Sequence, residues 1–193
     1  MLKNPQFIEE EKGAPLFLLD NGFIKTAGDL AFERANGWYD LVFPDGPAEE
    51  KELAPVNEAD IPRIVIKDAE RTFLKPENRL SLEKYLTQMN VEFGDYSQGF
   101  GFVASFLYLF MDEKKAQQIL IKVNSDEKYI PGYWKETAIG FATDAYVFDH
   151  LLKKMRPGLS EHLAKCYILP EMYCQKWFTN LCVHVLPFEN VFQ

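Results

Sequence analysis

The chain has 193 residues, 47% apolar and 15% aromatic, which fits one globular domain with a substantial core. A formal net charge of -8 argues against a nucleic-acid partner, because that binding is driven by Lys and Arg displacing counterions from phosphate. The charge is uneven: residues 1–62 hold 5 basic and 13 acidic side chains while residues 63–193 hold 16 of each, so a neutral body follows an acidic, solvated N-terminal third.

Residues 1–61 form an acidic region of unassigned structure, packed on the domain that follows. Punctuation at Asp45-Gly46-Pro47, Ala54-Pro55 and Ile61-Pro62 breaks any long period there, and Leu16 to Leu19 and Trp38 to Phe43 read as short buried pieces. Residues 62–193 read as helical. Asp68 and Arg71 stand just ahead of a helix that starts near Asn78, whose Leu82, Tyr85, Leu86 and Met89 fall at i, i+3, i+4, i+7. A second helix from Gly99 through Met111 is apolar nearly all round and belongs at the centre of the domain. Asp112 caps a third, with Ala116, Ile119, Leu120 and Val123 as its buried face before a loop over residues 124–126.

Further on, Val147, Leu151 and Met155 make another stripe, closed by Lys153, Lys154 and Arg156 at the negative end of the helix dipole and then by Pro157-Gly158. Pro170 suits a first helical position, and Tyr173, Trp177, Leu181 and Val185 follow at four-residue steps until Pro187. No alternating strand pattern follows residue 74 and no fixed period marks a solenoid, so the expected fold class is all-α.

Cys166, Cys174 and Cys182 recur every eight residues, far from zinc-knuckle spacing, and neither His184, His150 nor His162 repairs it; they read as buried thiols in a reducing compartment. Met1-Leu2-Lys3-Asn4-Pro5 leads into Glu9-Glu10-Glu11, so no signal peptide is expected, and Phe100 to Met111 is too short to span a bilayer. These features point to a soluble, cytoplasmic protein without direct membrane insertion.

Two short segments carry the chemistry. Asp68-x-x-Arg71 alone is an ordinary surface pair or helix-start salt bridge, and Tyr96-Ser97-Gln98-Gly99 alone is a plain helix start. Together they place an arginine and a glutamine ahead of two apolar helices, 27 residues apart. In phosphoryl transfer to water an arginine neutralises charge spreading over the transferred oxygens, and a glutamine amide holds the attacking water through one donor and one acceptor. The chain has no Gly-x-x-x-x-Gly-Lys-Ser/Thr phosphate loop, so these groups would complete another protein's site, with GTP and Mg²⁺ held by that partner and no cofactor of its own.

Over roughly residues 62–193 the sequence resembles the TBC domain of Rab GTPase-activating proteins. The family's Ile-x-x-Asp-x-x-Arg-Thr motif is met by Val65 through Thr72 with valine first, and Tyr-x-Gln-Gly is met in full by Tyr96 to Gly99. The likeness extends through Leu107 to Glu113, residues 129–133, His162-Leu163, Pro170, Tyr173, Trp177-Phe178 and residues 186–189. It implies a dual-finger activator of a GTP-bound Rab: Arg71 and Gln98 act in trans, Asp68 orients Arg71, and Thr72, Tyr96 and Gly99 support the two loops. It also implies a multi-helix fold of which this chain lacks part of the C-terminal lobe, and a peripheral place on endomembranes through the Rab. The sequence departs from the family at Phe100-Gly101, where Met-Asn is usual, and at Asp95, where glycine is common. The alternatives are a catalytically weak Rab-binding effector or scaffold of the same fold, and an unrelated helical interaction protein.

Overall fold

The computed structural model describes residues 28–47, 52–73, 76–94, 96–129, 131–134, 139–183, 185–186 and 191; in residues 28–34, 77 and 98 it describes the backbone alone. Leu16 to Leu19, Asp95 and residues 187–190 lie outside these. Among the described residues there are eight α-helices, one 3-10 turn at Glu58–Asp60 and no strand. The helices are α1 Gly28–Val42, α2 Arg63–Glu70, α3 Pro76–Phe93, α4 Gln98–Phe110, α5 Glu113–Ser125, α6 Ile139–Met155, α7 Pro157–Lys165 and α8 Pro170–Phe178.

The core is built on α4, which is buried from Gly99 through Phe110, as an all-round apolar helix must be. Against it pack α1, α3 and α5, while α2 packs on α3. Leu82, Tyr85, Leu86 and Met89 of α3 are fully buried, so its period names its inner face correctly. Asp112 caps α5 by accepting the Lys115 N–H at 2.9 Å, which satisfies one of the helix's orphan donors. The piece expected at Trp38 to Phe43 is the end of the longer α1. Its inner face, Ala35, Trp38, Tyr39 and Val42, repeats at i, i+3, i+4, i+7, and Tyr39 reaches across to Gln118 at 2.6 Å.

Helices α6, α7 and α8 form a second group, in which α6 packs on both others. Three expectations fail here. Val147, Leu151 and Met155 face outward, Met155 with 73% of its surface exposed. The inward face of α6 carries the buried Ala145 and the partly buried Phe148 instead, because Phe148 edges onto Tyr173, Trp177 and Phe178 of α8 at 5.7 to 6.2 Å, and that aromatic area outweighs the aliphatic stripe. The stripe from Tyr173 to Val185 is not one helix either. After Phe178 the Cys182 N–H bonds the Trp177 carbonyl and the Leu181 N–H the Phe178 carbonyl, a Schellman turn that puts Leu181 at φ 46°. Finally, Cys166 is exposed at the end of α7 and only Cys174 is fully buried, because the three cysteines lie on different elements and not on one helix face. No helix among the described residues is long and apolar enough to cross a membrane.

Tyr146, Tyr167, Leu169 and Met172 are exposed along with that outward stripe. The two helix groups meet at Trp134, whose indole N–H donates to the Thr179 carbonyl at 2.8 Å while its ring lies against Phe93 and Phe100.

Candidate functional site

Helix α2 is short and sharply two-sided. Val65 and Ala69 turn inward at i and i+4, and the i+3 position between them carries Asp68, which is therefore driven into the interior at 1% exposure. A buried carboxylate persists only with partners on its oxygens. One oxygen pairs with the Arg71 guanidinium at the helix C-terminus, and the other accepts the Tyr96 hydroxyl at 2.5 Å. Asp68 thereby ties two segments 28 residues apart in sequence.

Arg71 closes α2 in helical conformation, φ -86° and ψ -7°, and its Nε donates to the Lys67 carbonyl at 3.1 Å. Its side chain nevertheless keeps 57% of its surface exposed. The side chain is thus held through Nε and Nη2 while more than half of its surface stays exposed, and a planar, forked guanidinium is the group suited to phosphate oxygens. Thr72 is fully buried and donates to the Asp68 carbonyl at 2.7 Å, so what it supports is the turn that carries Arg71.

On the second segment, Tyr96 is half-buried with its ring edge-on to Phe100. Burial first, then the hydrogen bond to Asp68 and that carboxylate's charge, raise the Tyr96 phenol far above its ordinary pKa. Gln98 is the first residue of α4, two positions after Tyr96; its side chain lies outside the described residues. Gly99 is buried against the turn after α8, and a β-carbon there would fall 2.6 Å from the Thr179 hydroxyl oxygen. Phe100, at one departure from the family pattern, is a fully buried core residue. Among the described residues no three His, Cys, Asp or Glu side chains gather as a metal site requires.

The Tyr96–Asp68 bond has a measurable signature. Tyr96→Phe removes a hydrogen bond to a buried charged group and should cost about 1.5–3 kcal/mol at neutral pH. Because folding raises the phenol's pKa, the folded state holds that proton more tightly than the unfolded chain, whose tyrosine titrates near ~10. The stabilisation is therefore complete below about pH 10 and is lost as pH rises above it. Urea unfolding at pH 8 and pH 11 should show the gap between wild type and Tyr96→Phe narrowing at the higher pH; an unchanged gap would contradict this.

An all-α domain that presents an anchored arginine beside a second, helix-opening segment is the class defined by fold and site. The sequence pattern of RabGAP-TBC, the Rab-GTPase-TBC domain, matches residues 46–193, and the chain belongs to this family. It is 28% identical to growth hormone-regulated TBC protein 1 of Xenopus laevis over 167 residues, covering 80% of this chain and 46% of that protein. The Xenopus tropicalis protein of the same name is 28% identical over 182 residues, covering 87% of this chain and 49% of that one. TBC1 domain family member 10A of Mus musculus is 31% identical over 96 residues, covering 50% of this chain and 19% of that protein. The chain thus spans about half the length of the Xenopus relatives.

Proposed function

We propose that this chain is a GTPase-activating protein for a Rab-family small GTPase, acting in trans on the GTP-bound form with Arg71 and Gln98. The observation that carries the reading is the buried Asp68 carboxylate, which holds Arg71 on one oxygen and Tyr96 on the other while the arginine side chain as a whole stays more than half exposed. A salt bridge serving stability alone has no need of a second segment, and a reaching arginine has every need of a fixed root. Family membership supplies the partner class.

In this reading the GTPase holds GTP and Mg²⁺. Arg71 spreads positive charge over the γ-phosphate oxygens as the bond to the leaving group breaks, and the Gln98 amide aligns the attacking water. Asp68 and Tyr96 orient the two segments, Thr72 secures the turn beneath Arg71, and Gly99 keeps the start of α4 slim. The protein works in the cytoplasm, on trafficking membranes through its GTPase.

The test is GTP hydrolysis by a panel of Rab GTPases, measured with wild type beside Gln98→Ala. Losing one positioning group should lower stimulated turnover about a hundredfold, by analogy with a lost oxyanion donor. Binding to a GTP-loaded Rab without acceleration would replace this reading with a scaffold of the same fold, and no binding to any Rab would end both.

A further inference from the structure

The first turn of α4 is not fixed by its own sequence. Ser97 stands at the N-cap position, yet its side chain makes no capping hydrogen bond, so the turn is left to fray unless something else holds it. What lies against it is the end of α8. A β-carbon on Gly99 would sit 2.6 Å from the Thr179 hydroxyl oxygen, 2.8 Å from the Thr179 β-carbon and 2.9 Å from the Asn180 amide oxygen, all closer than real β-carbons approach. Thr179 and Asn180 are both buried.

That wall is itself held from several sides. The Thr179 carbonyl takes the Trp134 indole N–H at 2.8 Å, and its hydroxyl lies 2.6 Å from the Gln175 carbonyl. The chain then reverses through Leu181 and Cys182, at φ 46° and 60°, and the Val183 N–H returns to the Asn180 carbonyl at 3.0 Å. Left-handed backbone at two successive non-glycine residues persists only where the surroundings over-determine it. Trp134 supplies the link back, with its ring against Phe93 and Phe100 on either side of the Tyr96 segment.

We infer that Trp134, Thr179 and Asn180 are positioning residues for Gln98, clamping the backbone of Gly99 so that the preceding residue is presented at one place and angle. The assignment rests on the finger reading of Gln98. A water-aligning amide tolerates roughly 0.5 Å of misplacement, and an uncapped helix start does not by itself meet that tolerance.

The test uses the full chain with the GTP-loaded Rab that wild type stimulates most. Gly99→Ala should lower kcat at least tenfold while the KM for the GTPase changes less than twofold, and should speed deuterium exchange of the Gly101 amide, which bonds the Ser97 carbonyl, without speeding exchange in α3. Thr179→Gly removes both Thr179 atoms that the new methyl meets, so Gly99→Ala with Thr179→Gly should regain at least fivefold in kcat over Gly99→Ala alone. Trp134→Phe keeps a ring, removes the donor and should act in the same direction more weakly, which covers the case in which a glycine variant does not fold. Unchanged kcat in Gly99→Ala, KM and α3 exchange moving together with it, or no recovery in the double variant overturns the assignment while leaving the finger reading standing. If wild type accelerates no GTPase, the finger reading falls and takes the assignment with it, whatever exchange shows.

Discussion

Replacing Arg71 with alanine should remove nearly all stimulation of GTP hydrolysis, a loss of about 10³ to 10⁵ in rate or roughly 4–7 kcal/mol of transition-state stabilisation. The expected loss is large because the guanidinium is permanently charged and matches the fork of phosphate oxygens that gain charge as the reaction proceeds. Stability should fall much less. The arginine side chain is more than half exposed, and Asp68 keeps the Tyr96 hydroxyl after the substitution, so the cost is mainly that of the hydrogen bond to the charged Asp68, ~1.5–3 kcal/mol, with a smaller part from the Nε bond to the Lys67 carbonyl. Single-turnover hydrolysis and thermal unfolding, measured on the same sample, separate the two. Stimulation within a few fold of wild type would remove Arg71 from the mechanism.

Arg71→Lys sharpens the result. A lysine keeps the positive charge beside Asp68 and so should retain most of the stability, but a single ammonium cannot hold the buried carboxylate and reach a phosphate together. Activity and stability should therefore part company in this variant. If lysine restores most of the rate, the contribution is a point charge and the forked geometry is not needed.

The helices around α4 were legible in the sequence because each repeats apolar residues over several turns against one continuous core. Leu82 to Met89 and Ala116 to Leu120 bury the residues their spacing names. Helix α1 has the same spacing from Ala35 to Val42, but Gly37 and the prolines that follow hide it. On α6 the sequence offers two apolar faces, and the choice between them is made by the aromatic side chains of α8, which no local period contains. The end of α8 was overrun for a related reason: an apolar residue at each fourth step continues a helix on paper, whereas Leu181 in fact turns the chain.

The site divides the same way. The pairing of Asp68 with Arg71, three residues on, was legible as a local salt bridge, but the sequence reading placed it ahead of a helix and the structure places it at the C-terminal end of α2, a helix too short for its period to show. The bond from Tyr96 to Asp68 crosses between elements and was not legible: the family motif marked Tyr96 only as a support of its own loop, and a tyrosine ahead of a helix is otherwise an ordinary core residue. The approach of Thr179 and Asn180 to Gly99 left a single trace, the glycine itself, and a glycine near a helix start does not say what presses on it.

Phe100 yields the other large effect, on stability. It is fully buried, with Phe93 at 5.1 Å and Trp134 at 5.9 Å, both edge-on, and the Tyr96 ring at 6.4 Å. Phe100→Ala removes the ring at the centre of this group and leaves a cavity that the surrounding side chains cannot fill, which should cost about 3–5 kcal/mol and lower the melting temperature by on the order of 10 °C. Phe100→Met, the side chain usual in the family at this place, keeps most of the volume and forfeits chiefly the edge-on contacts, so it should cost only about 1–2 kcal/mol. The ranking matters more than either value. If the departure at this position were an adjustment of the finger loop, methionine would change turnover and leave stability alone; if the ring is core, as its burial indicates, alanine should unfold the domain early while methionine leaves the stimulated rate within about threefold of wild type. Denaturant unfolding of both variants decides between them, and equal stability losses for alanine and methionine would mean that this residue does not carry the packing its contacts describe.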